Sequence, residues 1–222
     1  MEYLIYGALK KYRRIHPARF HMPGHKADKK HFPFFKDAAL DITELSFSDC
    51  LENPDGLLSA AEGDVAEILG AKRSFFLTDG SSSGVWAMLY CVKRRGGKVV
   101  MARGAHKSAY NACGVLGIEP YLLRGNELDG IPLPPSAAEI EDVFKKEKDV
   151  SAVLVTSPDY YGNISDYAAI RRICDRYGKL FLIDGAHGAY LRFDPDGAHS
   201  YAGEFADAWV DGAHKTLPAL TQ

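Results

Sequence analysis

From residue 74 onward two kinds of hydrophobic pattern alternate along the chain. Short, nearly continuous apolar runs rich in Val, Leu, Ile, Phe and Tyr fall at 74–77, 98–101, 119–123, 151–156, 179–183 and 206–210. Between them, residues 83–94, 107–116, 137–147 and 167–177 place their apolar positions at helical spacing. Ser136 with Glu139 is a capping-box signature for the third of these helices, and Gly178 is placed to close the fourth. Strands too continuously apolar to have a wet face, alternating with helices, predict an α/β fold of three layers, with a mostly parallel sheet covered by helices on both sides. The Pro-rich stretch 131–135 reads as a connecting loop.

Before residue 74 the pattern is thinner. Leu4, Ile5, Ala8, Leu9 and Tyr12 predict a short amphipathic helix over 3–14, ended before Pro17. Residues 18–30 and 41–56 carry Pro-Gly, Asn-Pro and Asp-Gly turn signals and read as loops. A helix over 59–69, closed by Gly70, follows. His21 and His25 are four apart, a metal-ligand spacing on a helix, but Pro23 and Gly24 between them break that geometry.

Composition narrows the class. The 222 residues are 46% hydrophobic and 25% charged, with net charge −2 and pI near 6.4, an ordinary globular composition. Basic residues are scattered rather than striped, which argues against a nucleic-acid partner. No apolar run approaches a membrane span, and the N-terminus lacks the order of a signal peptide, so a cytoplasmic protein is expected. Cys50, Cys91, Cys113 and Cys174 are far apart with no CxxC pair, and read as reduced packing residues.

The polar residues of interest fall just past the expected strand ends, where ligands bind in such sheets. After the first comes TDGSSSG (78–84), hydroxyls leading into a helix whose free N–H groups suit a phosphate, although such runs also serve simply as caps. After the second comes His106, a structural histidine or a general acid/base. After the fifth comes Asp184 with His187, a pair that could hold a metal, cap a helix, or salt-bridge a heterocyclic nitrogen. After the sixth comes Lys215, a solvated loop lysine or the amine of a Schiff base.

Taken in order, RFHMPGHK, DITEL, NPDG, FFLTDGSSSG, ARGAHKS, TSPDYYG, LIDGAHGAY and AHKTLPALTQ resemble the major domain of the pyridoxal-phosphate-dependent Orn/Lys/Arg decarboxylases. The resemblance implies a fold type I large domain and decarboxylation of arginine, lysine or ornithine to a polyamine-type amine. Pyridoxal phosphate would be the cofactor, a basic amino acid the substrate and a homodimer the working form. By the same resemblance Ser81 and Ser82 hold the cofactor phosphate with His214 beside it, and His106 and Ala186 cover the two ring faces. Asp184 pairs with the pyridine nitrogen, His187 lies by the ring hydroxyl, and Lys215 is the Schiff-base lysine, which leaves Lys215, His106 and Asp184 as the catalytic set. Where the family motif reads S-T-H-K, this chain has Gly212-Ala213-His214-Lys215, and Gly185 stands where an acid or serine often follows the ring aspartate. Residues 1–56 are expected to form an arm and interface loops, and 57–222 an incomplete cofactor-binding domain. The implied strand order is 3-2-4-5-6-7-1, with residues 74–77 as strand 1 and with strand 7 and a C-terminal domain lying beyond Gln222, so the chain by itself is expected to fall short of a competent decarboxylase.

Overall fold

A computed structural model describes residues 3–220. The chain divides after Phe76 into two compact units. In the first, α1 (Leu4–Arg14) and α2 (Leu57–Leu69) are joined by a long loop with one 3-10 turn at Ala38–Leu40. Asp49 organises this loop: its carboxylate accepts N–H groups of Cys50, Asp55, Gly56, Leu58 and Ser59, the last two in the first turn of α2, whose own N-cap is a glycine. Gly70 closes α2 in the left-handed region at φ +70. His21 and His25 have separate partners, the Tyr12 hydroxyl at 2.5 Å and the Asp41 carboxylate at 3.0 Å.

The second unit runs α3 (Gly80–Arg95), β1 (Lys98–Ala102), α4 (Lys107–Leu116), β2 (Pro120–Leu123), β3 (Glu127–Leu128), β4 (Ile131–Pro132), α5 (Ala137–Lys146), β5 (Val150–Thr156), α6 (Tyr167–Tyr177), β6 (Leu180–Gly185), β7 (Ala208–Asp211) and the single turn α7 (Ala213–Thr216). The main sheet has order β2-β1-β5-β6-β7, with every pairing parallel. That is the expected 3-2-4-5-6. Alternate side chains of each strand feed two cores. Val99, Met101, Ala152, Leu154, Leu182 and Val210 pack with α3 and α4 on one face; Val100, Val153, Val155, Phe181 and Ile183 pack with α5 and α6 on the other. Burial of each of the larger of these side chains contributes about 1.5–3 kcal/mol.

The capping box forms as expected, with the Glu139 N–H donating to Ser136 Oγ and the Ser136 N–H to the Glu139 carboxylate. Gly178 ends α6 at φ +61. All four cysteines are free, and Cys113 and Cys174 pack in the core, where burial pushes the Cys174 thiol up to about 12.

Three expectations change. Residues 74–77 are not a strand, because a strand needs a ladder partner and here the Phe76 N–H goes to the Glu62 carboxylate at 2.9 Å. Helix α3 begins at Gly80 rather than 83, so the serine run lies inside its first turn. Residues 131–132 pair with 127–128 in a small hairpin, whose Asp129–Gly130 corner has φ of 52 and 79, the type I′ geometry that Asp-Gly favours.

Candidate active site

The carboxyl ends of β6 and β7 and the start of α3 converge on one side of the sheet. Asp184, near the end of β6, is 3% exposed, and the Ala186 N–H donates to its carboxylate at 3.3 Å. Burial holds this carboxyl above the usual carboxylate range; the Ala186 bond and the nearby His106, Lys215 and His187 side chains pull the other way. All three side chains are therefore electrostatic neighbours of the acid.

Lys215 reaches this place through a tight turn. A Cβ on Gly212 would stand 2.5 Å from the Ala186 carbonyl oxygen, so glycine lets the segment after β7 lie directly against the segment after β6. Lys215 Nζ then sits 3.3 Å from His187 Nε2. His187 is half-buried and bonded to the Pro158 carbonyl; burial first and the Lys215 charge second lower its pKa, which favours the neutral imidazole. Ala186 is buried beside it, and His214 is half-buried in α7, one residue before the lysine.

His106 caps α4 at the end of β1. Its Nδ1 accepts the Ser108 N–H at 3.3 Å and pairs with Ser108 Oγ at 2.8 Å, which fixes the ring and leaves Nε2 without a partner among the described residues. Ser81 and Ser82 are half-buried in the first turn of α3, where backbone N–H groups lack intrahelical partners. Ser83 turns its hydroxyl back to the Gly80 carbonyl at 2.8 Å, whereas those of Ser81 and Ser82 have no partner among the described residues. Gly84 brings this helix start onto the sheet, since a Cβ there would lie 2.6 Å from Val210 Cγ2.

The family model for the Orn/Lys/Arg decarboxylase major domain matches residues 4–222. The chain belongs to that family. It is 32% identical to the uncharacterized protein YaaO of Bacillus subtilis, over 98% of this chain and 47% of that one, and 28% identical to an arginine decarboxylase of Bacillus cereus, over 98% and 49%. It spans about half the length of these relatives. Among solved structures, lysine decarboxylase A from Pseudomonas aeruginosa shares the fold with TM-score 0.80 at 22% identity, covering 98% of this chain and 33% of that one.

The family's cofactor is pyridoxal phosphate, and the donor set fits it. A nearly buried carboxylate with one hydrogen bond is poised for a cationic ring nitrogen, an amine lies close by, and unpartnered hydroxyls sit at a helix start. Glycine at 212 has a local reason, because a Cβ there would strike the Ala186 carbonyl.

A half-buried carboxylate near the site was not singled out by the sequence reading. Asp211, at the end of β7, accepts the Tyr201 hydroxyl and Trp209 Nε1–H, at 2.5 and 2.9 Å. It is one residue out of step with Val210, which pairs with Asp184, so Asp211 faces the opposite side of the sheet and lies outside the site. The alternation along AWVD carries that signal.

Proposed function

We propose that this chain serves the pyridoxal-phosphate-dependent decarboxylation of a basic amino acid, arginine, lysine or ornithine, to a polyamine-type amine and CO2, as a cytoplasmic homodimer. The observation that carries the reading is the convergence of buried Asp184 and Lys215 at the ends of neighbouring strands β6 and β7, in a chain matched to this family from residue 4 to 222. When bound, the cofactor supplies an electron sink whose strength depends on a protonated ring nitrogen. Asp184 holds the proton on that nitrogen. Lys215 supplies the amine that anchors the cofactor's aldehyde carbon and yields to the substrate's α-amine. Ser81, Ser82 and the free N–H groups of α3 hold the phosphate with His214 beside them, His106 and Ala186 cover the two ring faces, and His187 lies by the ring hydroxyl.

The proton that replaces CO2 on the α-carbon comes from Lys215 or from His106 Nε2, the ring atom that the Ser108 bonds leave free. The test is CO2 release from arginine, lysine and ornithine by the full-length protein that carries this chain, with and without added pyridoxal phosphate. Cofactor-dependent CO2 from at least one of the three is expected. Release from none of them by a cofactor-loaded protein would contradict the reading.

A further inference from the structure

The edge of the sheet away from β7 holds a second group of unpaired charges. Along β1 and β2 the parallel register pairs Ala102 with Leu123, and the Arg103 N–H continues the ladder to the Leu123 carbonyl at 2.9 Å. The next residues on the two strands, Arg103 and Arg124, therefore leave the sheet side by side, about 4.8 Å apart by strand spacing. Both arginines are exposed and line one open depression of about 640 Å³, together with Gly125, Asn126, Glu127 and Pro132.

Some arginines have acceptors, Arg171 with Asp175 and Asp207, Arg176 with Glu141, and Arg95 with the Gly178 carbonyl, while Arg13, Arg14, Arg73, Arg94 and Arg172 have none among the described residues; what sets Arg103 and Arg124 apart is that two such side chains lie side by side. Among the described residues neither Arg103 nor Arg124 has a side-chain hydrogen bond or ion pair, even to neighbouring Glu127. Like charges directly opposite on adjacent strands are destabilising, so this pairing costs the free fold. The wall of the depression is also shaped by local structure. Gly125 has φ +69 and its Cβ would meet the Leu133 carbonyl at 2.8 Å, while the Leu133 N–H returns to the Asn126 carbonyl at 2.8 Å. The hairpin β3–β4 then sets Glu127 opposite Pro132.

We propose that Arg103 and Arg124 form a second anion site, for a phosphorylated small molecule whose phosphate is shared by the two guanidinium groups. One fork saturates a carboxylate, whereas two forks and two positive charges match a dianion with three free oxygens. The depression exceeds a bare phosphate and leaves room for the ligand's body. Three and four strand spacings of about 4.8 Å put the ends of β1 and β2 roughly 14 and 19 Å from β7, against which the start of α3 packs, so the arginine pair is distinct from that helix start. The inference does not rest on the cofactor reading.

The test is protection of individual arginines from phenylglyoxal, read by peptide mass mapping, with inorganic phosphate or acetate as probe. Phosphate should slow modification of both Arg103 and Arg124 by about tenfold, the size of one lost charge-assisted pair. Acetate should protect far less. In Arg124→Gln, phosphate should no longer protect Arg103; in Ser82→Ala, protection should persist; in Glu127→Gln, it should need less phosphate. Absence of protection by phosphate in the unaltered chain, equal protection by acetate, persistence of Arg103 protection in Arg124→Gln, or its loss in Ser82→Ala would each overturn the proposal.

Discussion

Gly84→Ala tests how the fold delivers the helix start proposed to hold the phosphate. The added Cβ would sit 2.6 Å from Val210 Cγ2, 3.0 Å from Val210 Cβ and 2.9 Å from Leu77 Cδ1, where ordinary contact begins at 3.4 Å. The Leu77 terminus can swing aside, but Val210 is β-branched and fixed in the sheet, so α3 has to retreat by about 0.8 Å. Overpacking of this kind costs about 1–3 kcal/mol, against a gain of up to about 1 kcal/mol from replacing a helical glycine by alanine. The net expectation is a loss of roughly 1–2 kcal/mol in urea unfolding. Pyridoxal phosphate should bind about tenfold more weakly, since a site must hold its donors within about 0.5 Å. Gly114 in α4 has nothing within 4 Å of its Cβ position, so Gly114→Ala is the matched control and should stabilise by about 0.5–1 kcal/mol. If Gly84→Ala proved as stabilising as Gly114→Ala, the close approach of α3 to β7 would be wrong.

Asp184→Asn should raise the melting temperature of the cofactor-free chain at pH 7 while weakening cofactor binding. The folded pKa of Asp184 is raised by burial, so its charged form opposes folding above the usual carboxylate range, and the advantage of the variant should fade as pH falls through that range; equal melting curves at pH 7 would count against this. Asp49 is the opposite case. Burial would raise it, but the N–H groups of Asp55, Cys50, Gly56 and Ser59 hold it far below its ordinary value. Its stabilising effect is present above about pH 4 and lost as pH falls toward the folded value. Limited proteolysis of the 41–56 loop should accelerate in acid, and Asp49→Ala should show the same sensitivity at pH 7. Ser136→Ala removes one half of a capping box and should cost about 0.5–2 kcal/mol in urea unfolding, with the cofactor-binding constant unchanged.

The parallel sheet was legible because its strands are buried on both faces and their apolar runs are bounded by helices with clear stops at Gly70 and Gly178. The grouping of the candidate residues was legible for a related reason: parallel strands bring their carboxyl ends to one side, so residues far apart in sequence, such as Asp184 and Lys215, could be placed together from strand position alone. Residues 74–77 misled because an apolar run of four states a preference for burial and says nothing of a ladder partner; the Phe76 N–H found Glu62 instead. The hairpin at 127–132 was hidden by attention to its prolines, although Asp129–Gly130 is among the strongest short hairpin signals. No local pattern could have paired Arg103 with Arg124, because their adjacency depends on the register of β1 and β2.

The central claim is that Lys215 is the residue that carries pyridoxal phosphate. Incubation with the cofactor, reduction with borohydride and peptide mass mapping tests it directly. The account predicts a single pyridoxyl adduct on Lys215, lost in Lys215→Ala. An adduct confined to Lys107 or Lys26 would contradict it.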